Sequence, residues 1–95
     1  MNILNKELLD DCLGGSAYYR LTLDGPLTAE LIKSFPPEGE LEYHPDFAHP
    51  YFQFKGNQRF IIKGLEGERI CKLIIPSDNS NSLYHEVQQL FKRIG

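Results

Sequence analysis

The chain has 95 residues, of which 41% are hydrophobic, 12% aromatic and 24% charged, and its formal net charge is −3. These values are typical of an ordinary globular protein, and we predict one α+β domain over residues 1–95. A chain this short buries only about 60–65% of the surface of its unfolded form, which leaves little length for a deep catalytic cleft beside the core. The sequence leaves open whether the protein is an enzyme.

Charge is unevenly distributed along the chain. Residues 1–50 contain three Lys or Arg against nine Asp or Glu, whereas residues 51–95 contain seven against four. The acidic half should repel phosphate backbones and the basic half attracts them only mildly, so the sequence does not favour nucleic acid as a partner.

The N-terminal segment and the cysteines indicate the compartment. The first twelve residues carry charges where a signal peptide has its apolar segment, and no apolar run approaches the ~20 residues of a membrane span. Cys12 and Cys71 each lie in an apolar pattern, which is typical of buried, reduced thiols. We therefore expect a soluble, cytoplasmic protein that has no membrane partner and no cofactor.

The first segment is predicted to be a helix. Asn5 is a suitable N-cap, and Gly14-Gly15 would end the helix because glycine adopts the left-handed conformation of a C-terminal cap. Apolar residues at helical spacing support this prediction. They are Leu4, Leu8, Leu9, Cys12 and Leu13.

A strand and a second helix are predicted next. Residues 17–23 alternate, so that Ala17 and Leu21 share one face with Tyr19 and Leu23. Thr28 would cap a two-turn helix, which Pro36-Pro37 ends because proline cannot donate a helix hydrogen bond. The predicted inner stripe of this helix is Leu27, Leu31 and Phe35. A second strand follows at residues 41–43.

Residues 51–75 are the densest apolar stretch and predict three short antiparallel strands joined by two tight turns. A two-residue turn at Glu66-Gly67 would pair Ile62 with Cys71. A three-residue loop at 56–58 would place two phenylalanines of the first strand on the same face. The predicted inner face consists of Phe52, Phe54, Phe60, Ile62, Cys71 and Leu73.

The chain finishes with the clearest amphipathic helix in the sequence, which would cover the inner face. Its apolar residues are Leu83, Val87, Leu90, Phe91 and Ile94. The predicted fold is an α+β two-layer sandwich with an antiparallel-dominated sheet of four or five strands and helices on one face. The predicted order of elements is α-β-α-β-β-β-β-α.

The other face of the predicted sheet is the favoured functional surface. Its residues interleave cations with isoleucines and a tyrosine, and no segment of the chain is patterned to cover them. They are Tyr51, Lys55, Arg59, Ile61, Lys63, Ile70, Lys72 and Ile74. Such a patch predicts a non-enzymatic interaction or accessory domain that contacts a protein partner or forms a homodimer. A solvated face, with lysine stems over aliphatic residues, and a nucleic-acid platform are the alternatives.

The segment between residues 44 and 50 is the second candidate site. His44, Asp46 and His49 place two imidazoles and a carboxylate within six residues, which could supply metal ligands or an acid–base pair. The alternative function is therefore a small metal- or ligand-binding protein, with or without catalysis, centred on this loop. The structural alternative is a connector whose prolines block strand pairing and whose Phe47 fills the core.

Overall fold

The computed structural model describes residues 1–11, 15–56, 60–76 and 80–94, which form a small α+β domain with one antiparallel sheet and two helices. The strand order in this six-stranded sheet is β1-β2-β6-β5-β4-β3. The strands are β1 (Ile3–Asp11), β2 (Ser16–Leu23), β3 (Glu40–His44), β4 (Tyr51–Gly56), β5 (Phe60–Leu65) and β6 (Ile70–Pro76). The helices are α1 (Ala29–Lys33) and α2 (Ser80–Ile94). The predicted order is thus correct except for its first element, and the sheet has six strands instead of the four or five predicted.

That first element is a strand, and the prediction of an N-terminal helix is wrong. β1 pairs antiparallel with β2, and its register shifts between Ile3 and Asn5 and again between Leu8 and Asp10. Each irregularity changes which residues face the core, so the period-two alternation that identifies a strand is lost from the sequence. The even spacing of Leu4 and Leu8 fits a strand as well as a helix. Cys12 and the predicted stop at Gly14 lie outside the described residues.

A lysine of β1, Lys6, also contacts aromatic rings of β2 and α2. The ammonium group of Lys6 lies 4.1 Å from the ring centroid of Tyr84 on α2 and 5.1 Å from that of Tyr19 on β2. This cation–π arrangement places a charged side chain on the same side of the sheet as the helices, where a sequence pattern predicts an apolar one.

The second helix of the prediction is confirmed, with one change in its buried residues. Thr28 caps α1, and its hydroxyl accepts a hydrogen bond of 3.2 Å from the backbone N–H of Leu31. Ile32 is fully buried in the core, whereas Leu31 is only partly buried. α1 has only five residues, which is too short for an apolar stripe along the helix. Its orientation therefore depends on the burial of Ile32.

The three strands of residues 51–75 are confirmed, but each pairing is displaced by two residues from the predicted register. Ile62 lies opposite Leu73 instead of Cys71, and it also lies opposite Phe54 instead of Phe52. Because side chains alternate with a period of two, a displacement by two leaves every residue on its predicted face. All six residues of the predicted inner face are therefore buried.

The register of β5 and β6 is fixed by backbone bonds to distant residues. The N–H of Gly67, a glycine with φ of +88°, donates to the Leu27 carbonyl at 2.7 Å, and the Leu27 N–H donates to the Glu68 carbonyl at 2.8 Å. The N–H of Leu23 donates to the Arg69 carbonyl at 2.7 Å. The connection between β5 and β6 is thus longer than the two-residue turn that local turn chemistry predicts.

The core lies between one face of the sheet and both helices. It contains the inner-face residues, Leu21 and Leu23 of β2, Ile32 of α1 and the apolar stripe of α2. Within the described ranges, no polar or charged residue is buried. No helix of the described chain is both long and apolar enough to cross a membrane.

We predict that Gly64→Ala destabilises the protein by about 1–3 kcal/mol. A Cβ atom at Gly64 would lie 2.9 Å from the ring of Phe52 and 3.2 Å from a methyl carbon of Leu27, so packed core side chains would have to shift. Gly25→Ala is the matched control, since the nearest atom to its added Cβ is 3.9 Å away. Urea denaturation of both variants measures the difference, and equal free energies of unfolding would contradict the packing at Gly64.

Candidate functional site

Both helices lie on the same side of the sheet, because their buried residues join one core with the inner-face residues. The opposite surface, here called the outer face, consists of the alternate strand residues that the described helices do not cover. Its central positions are Tyr18, Arg20, Thr22, Tyr51, Gln53, Lys55, Ile61, Lys63, Leu65, Ile70, Lys72 and Ile74. All of these side chains are partly or largely exposed.

The register of the strands arranges the outer face in rows that run across the sheet. The middle row, from β1 to β3, is Glu7, Arg20, Lys72, Lys63, Gln53 and Glu42. Directly opposed side chains on neighbouring strands have Cβ atoms about 4.5–5.5 Å apart. Three cations therefore lie side by side at the centre of the outer face, with a carboxylate at each edge.

The charges in this row are only partly compensated. The guanidinium of Arg20 forms an ion pair of 3.0 Å with Glu7, and both side chains are about half exposed. Among the described side chains, no carboxylate lies within ion-pair distance of Lys63 or Lys72. Like charges directly opposite each other across a sheet are destabilising, so this row costs the folded protein stability.

Apolar residues flank the cations on both sides. The neighbouring row on one side contains Tyr18, Ile74 and Ile61 on β2, β6 and β5, and it continues with Lys55 on β4 and Glu40 on β3. In the other direction lie Leu65 and Ile70, which are 42% and 45% exposed, beside Tyr51. The outer face is therefore a cationic row between two apolar rows.

Two adjoining depressions, of about 360 and 660 Å³, form a shallow groove on the outer face. Both are lined by Lys63, Gly64, Leu65 and Lys72, so they meet at β5 and β6. We call this feature the outer groove. Its apolar residues include Leu9, Leu65, Ile70 and Tyr51, and its polar residues include Arg20, Lys63, Lys72 and Gln53.

The outer groove ends in three stacked rings. The centroid of the Tyr51 ring lies 4.6 Å from that of His44 and 5.3 Å from that of Phe47. His44 and Phe47 are nearly parallel, with their centroids 5.6 Å apart. Phe47 is 54% exposed, so the expectation that it fills the core is wrong. The side-chain alternation of β3 directs His44 to the outer face, and Phe47 stacks on it there.

The loop between β3 and β4 does not assemble a metal site in the described structure. His44 packs against Phe47 and Tyr51, whereas Asp46 and His49 are exposed. In the described part of the chain, no group of three or more His, Cys, Asp or Glu side chains is placed to hold a metal ion. Residues His44, Asp46 and His49 are therefore close in the sequence, but the described structure does not bring them together as a set of metal ligands.

Seven of the eight residues assigned to the surface by sequence lie on the outer face, and Arg59 lies outside the described residues. Leu65 could have been included, because it continues the alternation of Ile61 and Lys63. Leu9 could not, because its position depends on the irregular pairing of β1. The positions of Glu7 and Glu42 at the ends of the middle row could not be predicted either, because they depend on the order of all six strands.

Cys71 and Tyr43, on the inner side of the sheet, both have a raised pKa and retain their protons at neutral pH. Burial raises the pKa of the Cys71 thiol to about 12. The hydrogen bond that the Tyr43 hydroxyl donates to Glu66, together with burial and the nearby negative charge, raises the pKa of Tyr43. A protonated thiol is a poor nucleophile, and Cys71 is packed in the core.

A second cavity lies on the helix side, at the end of α2. Its volume is about 220 Å³, and its lining includes Phe54, Phe60, Leu90 and Arg93. Arg93 forms an exposed ion pair of 3.6 Å with Glu38 beside it. Pockets for small ligands usually have about 300–1,000 Å³, so this cavity is small for a cofactor or substrate.

We predict that the Cys71 thiol of the native protein reacts with iodoacetamide at pH 8 about 10³-fold more slowly than an exposed cysteine. With a pKa of about 12, only a minute fraction is thiolate, and that pKa is raised in the folded state only. The raised pKa contributes stability that is complete below the unfolded pKa of about 8.5 and is lost as the pH rises through the folded value. Peptide mass mapping separates Cys71 from Cys12, and equal labelling in buffer and in denaturant would contradict its burial.

We further predict that Lys72→Glu and Lys55→Glu change stability in opposite directions, each by roughly 0.2–1 kcal/mol. Lys72 lies between Arg20 and Lys63, so a carboxylate there would replace repulsion with attraction. Lys55 lies opposite Glu40, so a carboxylate there would create repulsion. Denaturation at low and at high salt measures both effects, which should shrink as salt screens the charges. A loss of stability in Lys72→Glu would show that the register of charges is wrong.

The chain was compared with protein-family models, with curated proteins and with solved structures, and none of the three comparisons finds a match.

Proposed function

We propose that this protein is a small, non-enzymatic binding module whose outer face contacts another protein chain. The observation that carries the proposal is the exposed cationic row between two apolar rows, on the side of the sheet that neither described helix covers. Tyrosine and arginine are enriched where proteins meet, and exposed apolar residues that lie together mark contact surfaces.

The size of the outer face is consistent with a transient contact. Six strands about 4.8 Å apart span roughly 24 Å, and three rows of alternate residues extend roughly 14–20 Å along the strands. The area is therefore below the ~800 Å² per partner of a standard interface, a size typical of weaker signalling or accessory contacts. A stable assembly would need additional surface, such as the stacked rings at the end of the outer groove.

The arrangement of charges argues against nucleic acid as the partner. A phosphate backbone carries a charge at every nucleotide, whereas the three adjacent cations of the middle row occupy β2, β6 and β5 and are followed by Gln53 and Glu42. Glu7 and Glu42 close the row at both edges and would repel a longer polyanion. The metal-binding alternative has no supporting observation, because His44 is packed against two aromatic rings.

The proposal is tested by capture from an extract of the source organism, with reconstitution of the complex from purified components. The wild-type chain should retain its partner in stoichiometric amounts, and Ile70→Glu should lose it, because this substitution places a carboxylate in an apolar row of the outer face. Leu8→Glu is the matched control, since Leu8, like Ile70, is an exposed aliphatic residue but lies opposite Tyr19, on the helix side of the sheet.

Light scattering between 10 µM and 1 mM protein then separates a different partner from a second copy. If the outer face joins two copies, Ile61→Glu and Ile74→Lys should leave the monomer folded and lower the measured mass. Retention of the same partners by Ile70→Glu and Leu8→Glu, with a mass unaffected by Ile61→Glu or Ile74→Lys, would contradict the proposal.

A further inference from the structure

We infer that the occupant of the outer groove is an acidic amphipathic segment of another protein, with carboxylates that meet the cationic row and apolar side chains beside them. This inference rests on the proposed function and specifies the chemistry of the partner. Its basis is charge complementarity, because the cations and the apolar residues line separate parts of the outer groove.

The first step concerns the two lysines. Lys63 and Lys72 lie directly opposite each other, are exposed, and have no ion-pair partner among the described residues. A carboxylate placed between them would interact with both ammonium groups and would relieve their mutual repulsion. Arg20, already paired with Glu7, lies next to Lys72 and extends the positive potential by one strand.

The second step concerns the apolar side of the outer groove. Leu65, Ile70 and Tyr51 line the same depressions as the lysines. An anion without apolar groups, such as a sugar–phosphate chain, would leave these side chains in water. A segment with leucine or phenylalanine beside its acids would cover them and, by excluding water, would strengthen the contacts with the lysines.

The third step limits the number of acids. The three cations occupy the adjacent strands β2, β6 and β5, which span roughly 10 Å. Two or three carboxylates fill this distance, for example at positions i, i+3 and i+4 of a helix. Beyond it, Glu7 and Glu42 would repel further acids, so the row selects a short acidic cluster.

The fourth step concerns a second copy of the chain as the occupant. When two identical faces meet around a two-fold axis that passes through their centres, the central residues of one copy meet those of the other. Here that symmetry would place Lys63 and Lys72 against the same lysines. The charges of the outer face therefore disfavour a centred homodimer and favour a partner of opposite charge.

The experiment uses the full chain labelled with ¹⁵N and an 18-residue synthetic peptide with leucine at helical positions i, i+3, i+4 and i+7 and glutamate beside each leucine. Three matched peptides replace all glutamates by glutamine, all glutamates by lysine, or all leucines by serine. We expect the Glu/Leu peptide to shift amide resonances of β2, β5 and β6. Its affinity should exceed that of each matched peptide at least tenfold.

Variants of the protein assign the effect to the lysines. Lys63→Glu/Lys72→Glu should weaken binding of the Glu/Leu peptide at least tenfold and should gain affinity for the Lys/Leu peptide. Lys33→Glu/Lys92→Glu, which changes two exposed lysines on the helices, should bind as the wild type does. The reversed preference is a result that a merely unfolded variant cannot give.

Several results would overturn the inference. Equal binding of the Glu/Leu and Lys/Leu peptides, or no effect of Lys63→Glu/Lys72→Glu, would show that the cationic row does not select acids. Tighter binding of a single-stranded oligonucleotide, with a steep dependence on salt, would indicate a polyanion site and would also contradict the proposed function. A mass that doubles with concentration and is lowered by Ile61→Glu would make the second copy the occupant, which overturns this inference and leaves the proposed function intact. Failure of every peptide to bind would overturn the inference, while the capture experiment would still decide the proposed function.

Discussion

The alternation of side chains along a strand is the constraint on which this structure depends. A sheet whose alternate residues pack against helices must present the remaining residues on its other side. Both α1 and α2 lie on one side here, so a single hydrophobic layer forms the core. The free energy of folding comes largely from that layer, and the composition of the outer face is free to meet a different requirement.

The same constraint explains why the faces of the sheet can be predicted when its register cannot. Local turn chemistry favours a two-residue turn at Glu66-Gly67, but backbone bonds to Leu27 hold this segment in a longer connection. Leu27 follows β2 in the chain, far from the strands whose pairing it fixes. The pairing moves by two residues, which preserves inner and outer positions. A displacement by one residue would have buried the lysines.

Regular segments could be predicted from the sequence, and irregular or long-range features could not. The strands β4 to β6, the cap of α1 at Thr28 and the stripe of α2 follow from short-range periodicity. β1 does not, because its two register shifts remove the alternation and place Lys6 among tyrosines. The residues of the outer face could be predicted one strand at a time. The cationic row could not, because it requires β2 to lie beside β6, and these strands come from opposite halves of the chain.

That long-range pairing creates the cationic row of the outer face. Arg20 comes from the acidic half of the chain and Lys63 and Lys72 from the basic half, and the fold brings them together against their mutual repulsion. The core does not require this arrangement, since none of the three side chains contributes to it. A single carboxylate at the central position would relieve the repulsion from within the chain. The described chain has Lys72 at that position instead. A partner that places a carboxylate there would bind more tightly, because binding would relieve the repulsion that destabilises the free protein. In the complex that we propose, the stability lost by the isolated sheet would become selectivity for an acidic partner.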